Sequence, residues 1–251
     1  MNKKMCSLLT AFVLASSITS QVMAAETDNS VNKGFTLPTK EESMREQSKQ
    51  NLVKEYFNSK KGTPVKDKGQ VNPTGVIVGD DIINSVGTYR QELSYSCGAA
   101  ASRNLIYGYV RSAGGTCPSE ATLRSNLGTT TAGTDFGSKI PATLNQYAPG
   151  NNYTLTWGTA SGWTNTMASD IEYTINKTGS YDVIGDLYHG ASSTPIHSAY
   201  QNGAAHYICV YGYNNTSRYF YIADSNSAAP VQYTTPYTNL GNSTQQRGII
   251  W

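Results

Sequence analysis

Apolar and polar positions divide this chain into stretches of different character. Residues 2–24, NKKMCSLLTAFVLASSITSQVMA, carry two lysines, then an apolar stretch, then small residues around Ala24 and Ala25. That is the layout of a cleavable secretory signal, and the apolar stretch is too short and too broken by Ser and Thr to cross a membrane. Residues 39–61 are dense in Lys, Glu and Gln, with Leu52, Val53, Tyr56 and Phe57 recurring at helical spacing. The spacing predicts an amphipathic helix. Its flanks, 26–38 and 62–75, are polar and punctuated by Pro38, Pro64 and Pro73, which is linker composition. The expected organisation is a signal peptide over 1–24, a charged helical arm or propeptide with its linker over 25–75, and a folded domain over 76–251.

Within that domain the period changes along the chain. VIVGDDII (76–83) reads as a short strand. SCGAAASRNLIYGYVRSA follows as a helix that begins at Cys97, turns Leu105, Ile106, Tyr109 and Val110 to one broad face, and ends at Gly114 and Gly115. GTTTAGT (128–134) is loop-like. KIPATLNQY predicts a short helix, YTLTW a strand, and Met167 to Asn176 a further helix. YDVIGDLY, HYICVYGY and RYFYIAD read as strands, the last two separated by the turn-forming NNTS. Helices in the first half and strands in the second predict an α+β domain.

Charge and composition narrow the function. A formal net charge of +2 argues for neither nucleic acid nor an anionic membrane as partner. No segment after the signal approaches the roughly 20 apolar residues of a membrane span, so an exported, soluble protein is expected. Cys6 belongs to the signal. Cys97, Cys117 and Cys209 remain, an odd number for an oxidising compartment. Either Cys117 and Cys209 form a disulfide and leave Cys97 free, or Cys209, in an apolar strand, is a plain buried thiol. His189 and His197 lack HExxH or CxxC spacing and GTTTAGT lacks the lysine of a phosphate loop, so neither a metal nor another cofactor is predicted.

Four residues suggest chemistry. Cys97 opens a helix, where unpaired amides and the helix dipole favour an anion such as a thiolate. Gln91, in the preceding connection, could donate its side-chain amide to an oxyanion beside the Cys97 amide, and Gly98 would let a carbonyl approach the backbone. If Tyr213 and Tyr219 face each other across the turn, antiparallel pairing sets Ile208 opposite Asp224. His206, Ile208 and Asp224 then share one face, with the carboxylate diagonal to the imidazole. A slip of one residue would separate them. In the favourable register Asp224 orients the ring and leaves its other nitrogen for Cys97. Singly, each has a plainer role: a small core cysteine, a satisfied strand histidine, a turn aspartate, an exposed glutamine. Together, in the chain order Cys, His, Asp, they predict a cysteine nucleophile.

The blocks Q-x5-CGAA, GTTTAGT…IPATLNQY…YTL and AHYICVYGY…YFYIAD resemble, in the same order, the papain-like cysteine peptidases, and among them the bacteriocin-processing, double-glycine-leader peptidases. The likeness runs from about Tyr89 to Asn226. It implies a papain-like fold, with a catalytic helix packed on an antiparallel sheet. It implies Cys97 as nucleophile, His206 as general base and acid, Asp224 as orienting carboxylate and Gln91 in the oxyanion hole. Ala205 stands where Gly commonly precedes the histidine, and Ser225 where Pro commonly follows the aspartate. With no ATP-binding or membrane region following, a stand-alone domain is expected. The expectation is a secreted cysteine peptidase acting on a peptide or protein substrate. Alternatives are an acyltransferase or isopeptide or amide hydrolase with the same triad, and a non-catalytic surface module whose Tyr-rich loops bind a glycan or protein.

Overall fold

A computed structural model describes residues 38–60, 81–158, 161–189, 194–200 and 204–251. The expected signal peptide and most of the expected linkers and of the strand over 76–83 lie outside the described residues. The charged stretch forms helix α1 (Lys40–Lys60). Thr39 Oγ1 accepts from the Glu42 amide at 3.2 Å, and the Glu42 carboxylate accepts from the Thr39 amide at 2.6 Å. This reciprocal capping satisfies two donors that the first turn leaves unpaired. Strand β1 (Asp81–Ile83) follows, then α2 (Cys97–Ala113), α3 (Glu120–Leu127), α4 (Lys139–Tyr147), β2 (Leu155–Trp157) and α5 (Trp163–Ile175). The chain continues through β3 (Val183–Tyr188), β4 (Ala205–Asn214), β5 (Tyr219–Asp224), β6 (Gln232–Pro236), α6 (Tyr237–Thr244) and β7 (Gly248–Ile250).

The strands make one antiparallel sheet in the order β2-β7-β3-β4-β5-β6. β3 pairs with the first part of β4, Ala205 to Val210, and β1 takes over along Gly212 to Asn214. The change coincides with a β-bulge between Val210 and Gly212. Side chains alternate across the sheet, so each strand feeds two cores. Tyr207, Cys209, Tyr211 and Ala223 pack with Ala99, Leu105 and Ile106 of α2 and with residues of α3 and α4. Ile208, Val210 and Ile222 pack on the opposite face with Met167 and Ile171 of α5 and Leu240 of α6. Ala99, Ala100 and Ala101 are fully buried, and their small size lets the start of α2 lie close to the sheet.

Helix α1 belongs to the same compact unit as the sheet. Val53 is buried in the α5 core. Gln50 Nε2 donates to both Asp170 carboxylate oxygens at 3.1 and 2.9 Å, and the buried Lys49 ammonium lies 4.5 Å from the Trp251 ring centre. Burial, and after it the nearby Lys177 charge, hold the Lys49 pKa well below its ordinary value against the Asp170 carboxylate, which raises it.

Several elements differ from those expected. α5 begins at Trp163 rather than Met167, because Gly162 adopts φ 78° and turns the chain so that the buried Trp163 indole can donate to Thr244 at 2.9 Å. α3, β6, α6 and β7 arise where no clear period is visible. α6, YTNLGNST, is rich in weak helix formers. A Cβ at its Gly241 would lie 2.3 Å from Thr164 Oγ1, so close packing on α5 holds the helix rather than local preference.

Candidate active site

Cys97 is the first residue of α2, half-buried, at the edge of a cavity of ≈ 440 Å³. Gln91, Glu92, Tyr200, Ala204 and His206 also line that cavity. No α1 residue borders it.

The connection before α2 is fixed by polar groups that the core buries. Asn104, buried in α2, exchanges side-chain hydrogen bonds with the Tyr89 backbone at 2.7 and 3.2 Å. The Gln91 amide donates to Ser225 O at 3.1 Å, which ties this connection to the end of β5. Glu120, fully buried at the start of α3, accepts from the Glu92 amide and from the Ser96 hydroxyl. Ser96 Oγ in turn accepts from the Leu93 amide at 3.0 Å. The loop from Gln91 to Cys97 is thus shaped by α2, α3 and β5 together.

Gly98 plays a different part from the one expected. A Cβ there would sit 2.6 Å from Thr134 Oγ1, so the space beside Gly98 is filled by the GTTTAGT loop rather than left for a substrate. Thr134 is further held by Thr129 at 2.7 Å and by the Tyr207 hydroxyl, which donates to its carbonyl at 3.0 Å.

On the sheet, Ile208 pairs with Asp224, as the favourable register requires. The route differs from the one assumed. At the turn Tyr213 faces Phe220, one residue off, and the bulge at Tyr211 absorbs the difference. Continued straight, the turn register would set Cys209 opposite Asp224 and send His206 to the other face. With the bulge, His206 Nε2 lies 2.9 Å from Asp224 Oδ1.

Asp224 is fully buried, and every acceptor direction on it is used. Oδ1 also accepts from the Asn226 amide at 2.8 Å. Oδ2 accepts from Tyr200 Oη at 2.6 Å and Tyr233 Oη at 2.8 Å. Burial alone would raise its pKa, but His206, the Tyr200 hydroxyl and the Asn226 amide outweigh burial and hold it below the ordinary value. His206, 6% exposed, is pulled down by burial and more strongly pushed up by Asp224 and Cys97, to about 9. Cys97 lines the same cavity as this imidazole and contributes to the rise in its pKa. A thiol, an imidazole and a carboxylate therefore lie in series. Such an array can pass the thiol proton to the ring and keep the resulting imidazolium oriented.

Gln91 lines the cleft with Cys97, and its Nε2 donates to Leu93 O at 2.8 Å. Cys97, Cys117 and Cys209 are all free thiols, so Cys117 and Cys209 are not bridged. Cys209 is buried beside Asp182, and burial raises its pKa well above the ordinary range. Among the described residues no group of three or more His, Cys, Asp and Glu is placed to hold a metal, and no helix is long and apolar enough to cross a membrane. Tyr200, Tyr233, Glu120 and Asn104 were not foreseen from the sequence. The only trace there of the two phenols is the chain's 18 tyrosines, which do not say which one reaches the carboxylate.

A comparison with curated proteins finds no match. Among solved structures, the chain is similar to a putative C39-like peptidase from Bacillus anthracis, with 11% identity, TM-score 0.46, and 68% of this chain and 96% of that chain covered. It is similar to xylellain, a cysteine protease from Xylella fastidiosa, with 14% identity, TM-score 0.45 and coverage of 75% and 98%. A double glycine motif protease from an AMS/PCAT transporter, solved with its leader peptide, matches at 14% identity, TM-score 0.42 and coverage of 67% and 90%. The model of the Peptidase_C39 like family matches residues 83–247, from β1 to the residue before β7. With α2 and the paired β4 and β5 inside that match, the chain belongs to the Peptidase_C39 like family and is a cysteine peptidase of α+β fold.

Proposed function

We propose that the protein hydrolyses peptide bonds through Cys97, His206 and Asp224, with Gln91 in the oxyanion hole, and that it does so after export. The observation that carries this reading is the 2.9 Å contact of His206 with the buried Asp224, on a ring that lines the same cleft as Cys97. Cys97 gives its proton to His206 Nδ1, and the resulting thiolate attacks the scissile carbonyl carbon. The carbonyl oxygen takes the negative charge and is met by the Cys97 amide, which as the first helical residue has no partner within α2. Gln91 joins it by turning its amide from Leu93 O toward the cleft. His206 then protonates the leaving amine as the C–N bond breaks, leaving a thioester. Water attacks the thioester with His206 as base, the acyl C–S bond breaks, and the thiol regains its proton.

Glu92 is the acidic side chain on the cleft wall, and Arg103 and Arg124 lie 3.7 Å from it. The small Ala199, Ala204 and Ala205 leave room beside the sulfur for an extended chain. A leader signal over residues 1–24 supports export, and the mass of the protein recovered outside the producing cell tests it.

The catalytic reading is tested by alkylation and turnover together. Iodoacetamide is expected to label Cys97 faster than Cys117 or Cys209, and His206→Ala to remove that advantage. Peptide cleavage should be lost in Cys97→Ala and fall about 10²–10⁴-fold in His206→Ala. Equal, slow labelling of all three cysteines would overturn the reading. Mass gain on an added amine in place of cleavage would assign the triad to acyl transfer instead.

A further inference from the structure

Asp224 offers its Oδ1 to His206 and its Oδ2 to two phenols that come from different parts of the chain. Tyr200 lies in the segment after β3, and Tyr233 stands on β6. Their oxygens are 2.6 and 2.8 Å from the same carboxylate oxygen, so that oxygen cannot also take the His206 proton. The Tyr200 ring also lies on the His206 ring, with centroids 5.2 Å apart and planes 26° apart. It is also stacked with the buried His189 ring, at 5.4 Å and 19°. His189 is anchored by the Ser243 hydroxyl at 3.3 Å. Tyr200 thus stacks with two imidazoles and is also bonded to the carboxylate that His206 uses.

Resting on the triad reading above, we propose that Tyr200 and Tyr233 are positioning residues that hold Asp224 ionised and in one plane, and so fix the His206 ring toward Cys97. A buried carboxylate left to itself takes up a proton, because burial favours its neutral form. Donors to the ionised form reverse that preference, and two hydroxyls on one oxygen also set the carboxylate plane. Tyr200 adds a second constraint by stacking, which limits the tilt of the imidazole. Among the described residues, the charged and titratable groups around Asp224 are few. They are His206 from β4, Tyr200 with His189 behind it, Tyr233 with His197 against its ring at 5.0 Å, and Arg90, whose guanidinium donates to the Asp224 backbone carbonyl at 3.3 Å. Cys97 lies beyond the imidazole. None of these replaces a lost donor on Oδ2.

The test uses Tyr200→Phe, Tyr233→Phe and the double variant in the full chain, since Phe keeps the ring and removes the hydroxyl alone. Each single change is expected to lower kcat on a peptide about tenfold with KM unchanged, and to move the acidic limb of kcat/KM up by about one pH unit. Cys97 alkylation by iodoacetamide should show the same acidic shift without any substrate. Tyr200→Leu should cost more than Tyr200→Phe because it also removes the stack. An acidic limb unmoved in the double variant overturns the proposal, and so does a loss of activity that leaves the limb in place. If Tyr200→Phe does not fold, Tyr233→Phe carries the test alone. Absence of selective Cys97 labelling in the unsubstituted protein would instead defeat the triad reading itself.

Discussion

At the scale of single residues, the coupled pair His206 and Asp224 ties stability to pH. The folded pKa of His206, about 9, lies above its ordinary 6.5. Its contribution is fully present below the unfolded value and is lost as pH rises through the folded one. Asp224 is depressed, so its contribution is present above the ordinary 3.8 and lost as pH falls through its folded value. Melting temperature should therefore decline between about pH 6.5 and pH 9 in the native protein, and decline less over that range in His206→Ala. A flat profile in both would show that the imidazole gains nothing from its carboxylate. Activity should fall as pH passes through about 9, where the folded imidazolium loses its proton, because the thiolate and imidazolium act as a pair. The identity of these two residues was legible in the sequence, as was the position of Cys97. The phenols on Asp224 were not, because Tyr200 and Tyr233 stand 24 and 9 residues away and reach it only when the chain has folded.

At the scale of elements, the bulge in β4 decides whether the site exists. Expecting Tyr213 opposite Tyr219 led to the right partner for Asp224 through a regular ladder, whereas the ladder is irregular and corrects itself. A bulge adds one residue without a strong sequence mark, so periodicity alone cannot see it. Gly212 is one trace. A Cβ there would lie 2.8 Å from Ile82 O and 3.0 Å from the Tyr221 ring, so β1 and β5 close on the bulged strand only around glycine. Gly212→Val is expected to cost about 1–3 kcal/mol of stability and to lower kcat by misaligning His206 with Asp224. Thermal melting and turnover check this together. Full activity at a lowered melting temperature would show that the register survives without the close approach. The α6 helix makes the converse point, since its Thr, Asn and Gly residues predict little and its contact with α5 supplies what local preference lacks.

At the scale of the whole molecule, the charged N-terminal helix has more contact with the body than its composition implies. Val53 enters the α5 core, Gln50 bonds Asp170, and Lys49 lies over the Trp251 ring. Burying Val53 alone stabilises by about 1.5–3 kcal/mol. A chain beginning near Val76 should melt at a lower temperature than one that retains α1. It should show no gain in kcat/KM, since no α1 residue lines the cleft. Comparing both chains by melting and turnover checks this, and a rise in kcat/KM on truncation would identify the arm as an inhibitory propeptide.

The sequence by itself determined what depends on neighbours along the chain. It set the helix that presents Cys97, the strands that carry His206 and Asp224, the order of the three groups and the family they resemble. These rest on periods of a few residues and on fixed side-chain chemistry, which a linear chain displays directly. Only the tertiary structure decided the bulge that returns His206 to Asp224 and the phenols that fill the second carboxylate oxygen. It also decided the Thr134 side chain beside Gly98 and the docking of α1 on α5. Each of these is a contact between segments far apart in sequence. Its free energy comes from burial and from pairing polar groups away from water, and that environment does not exist until the sheet and its two helical layers have closed.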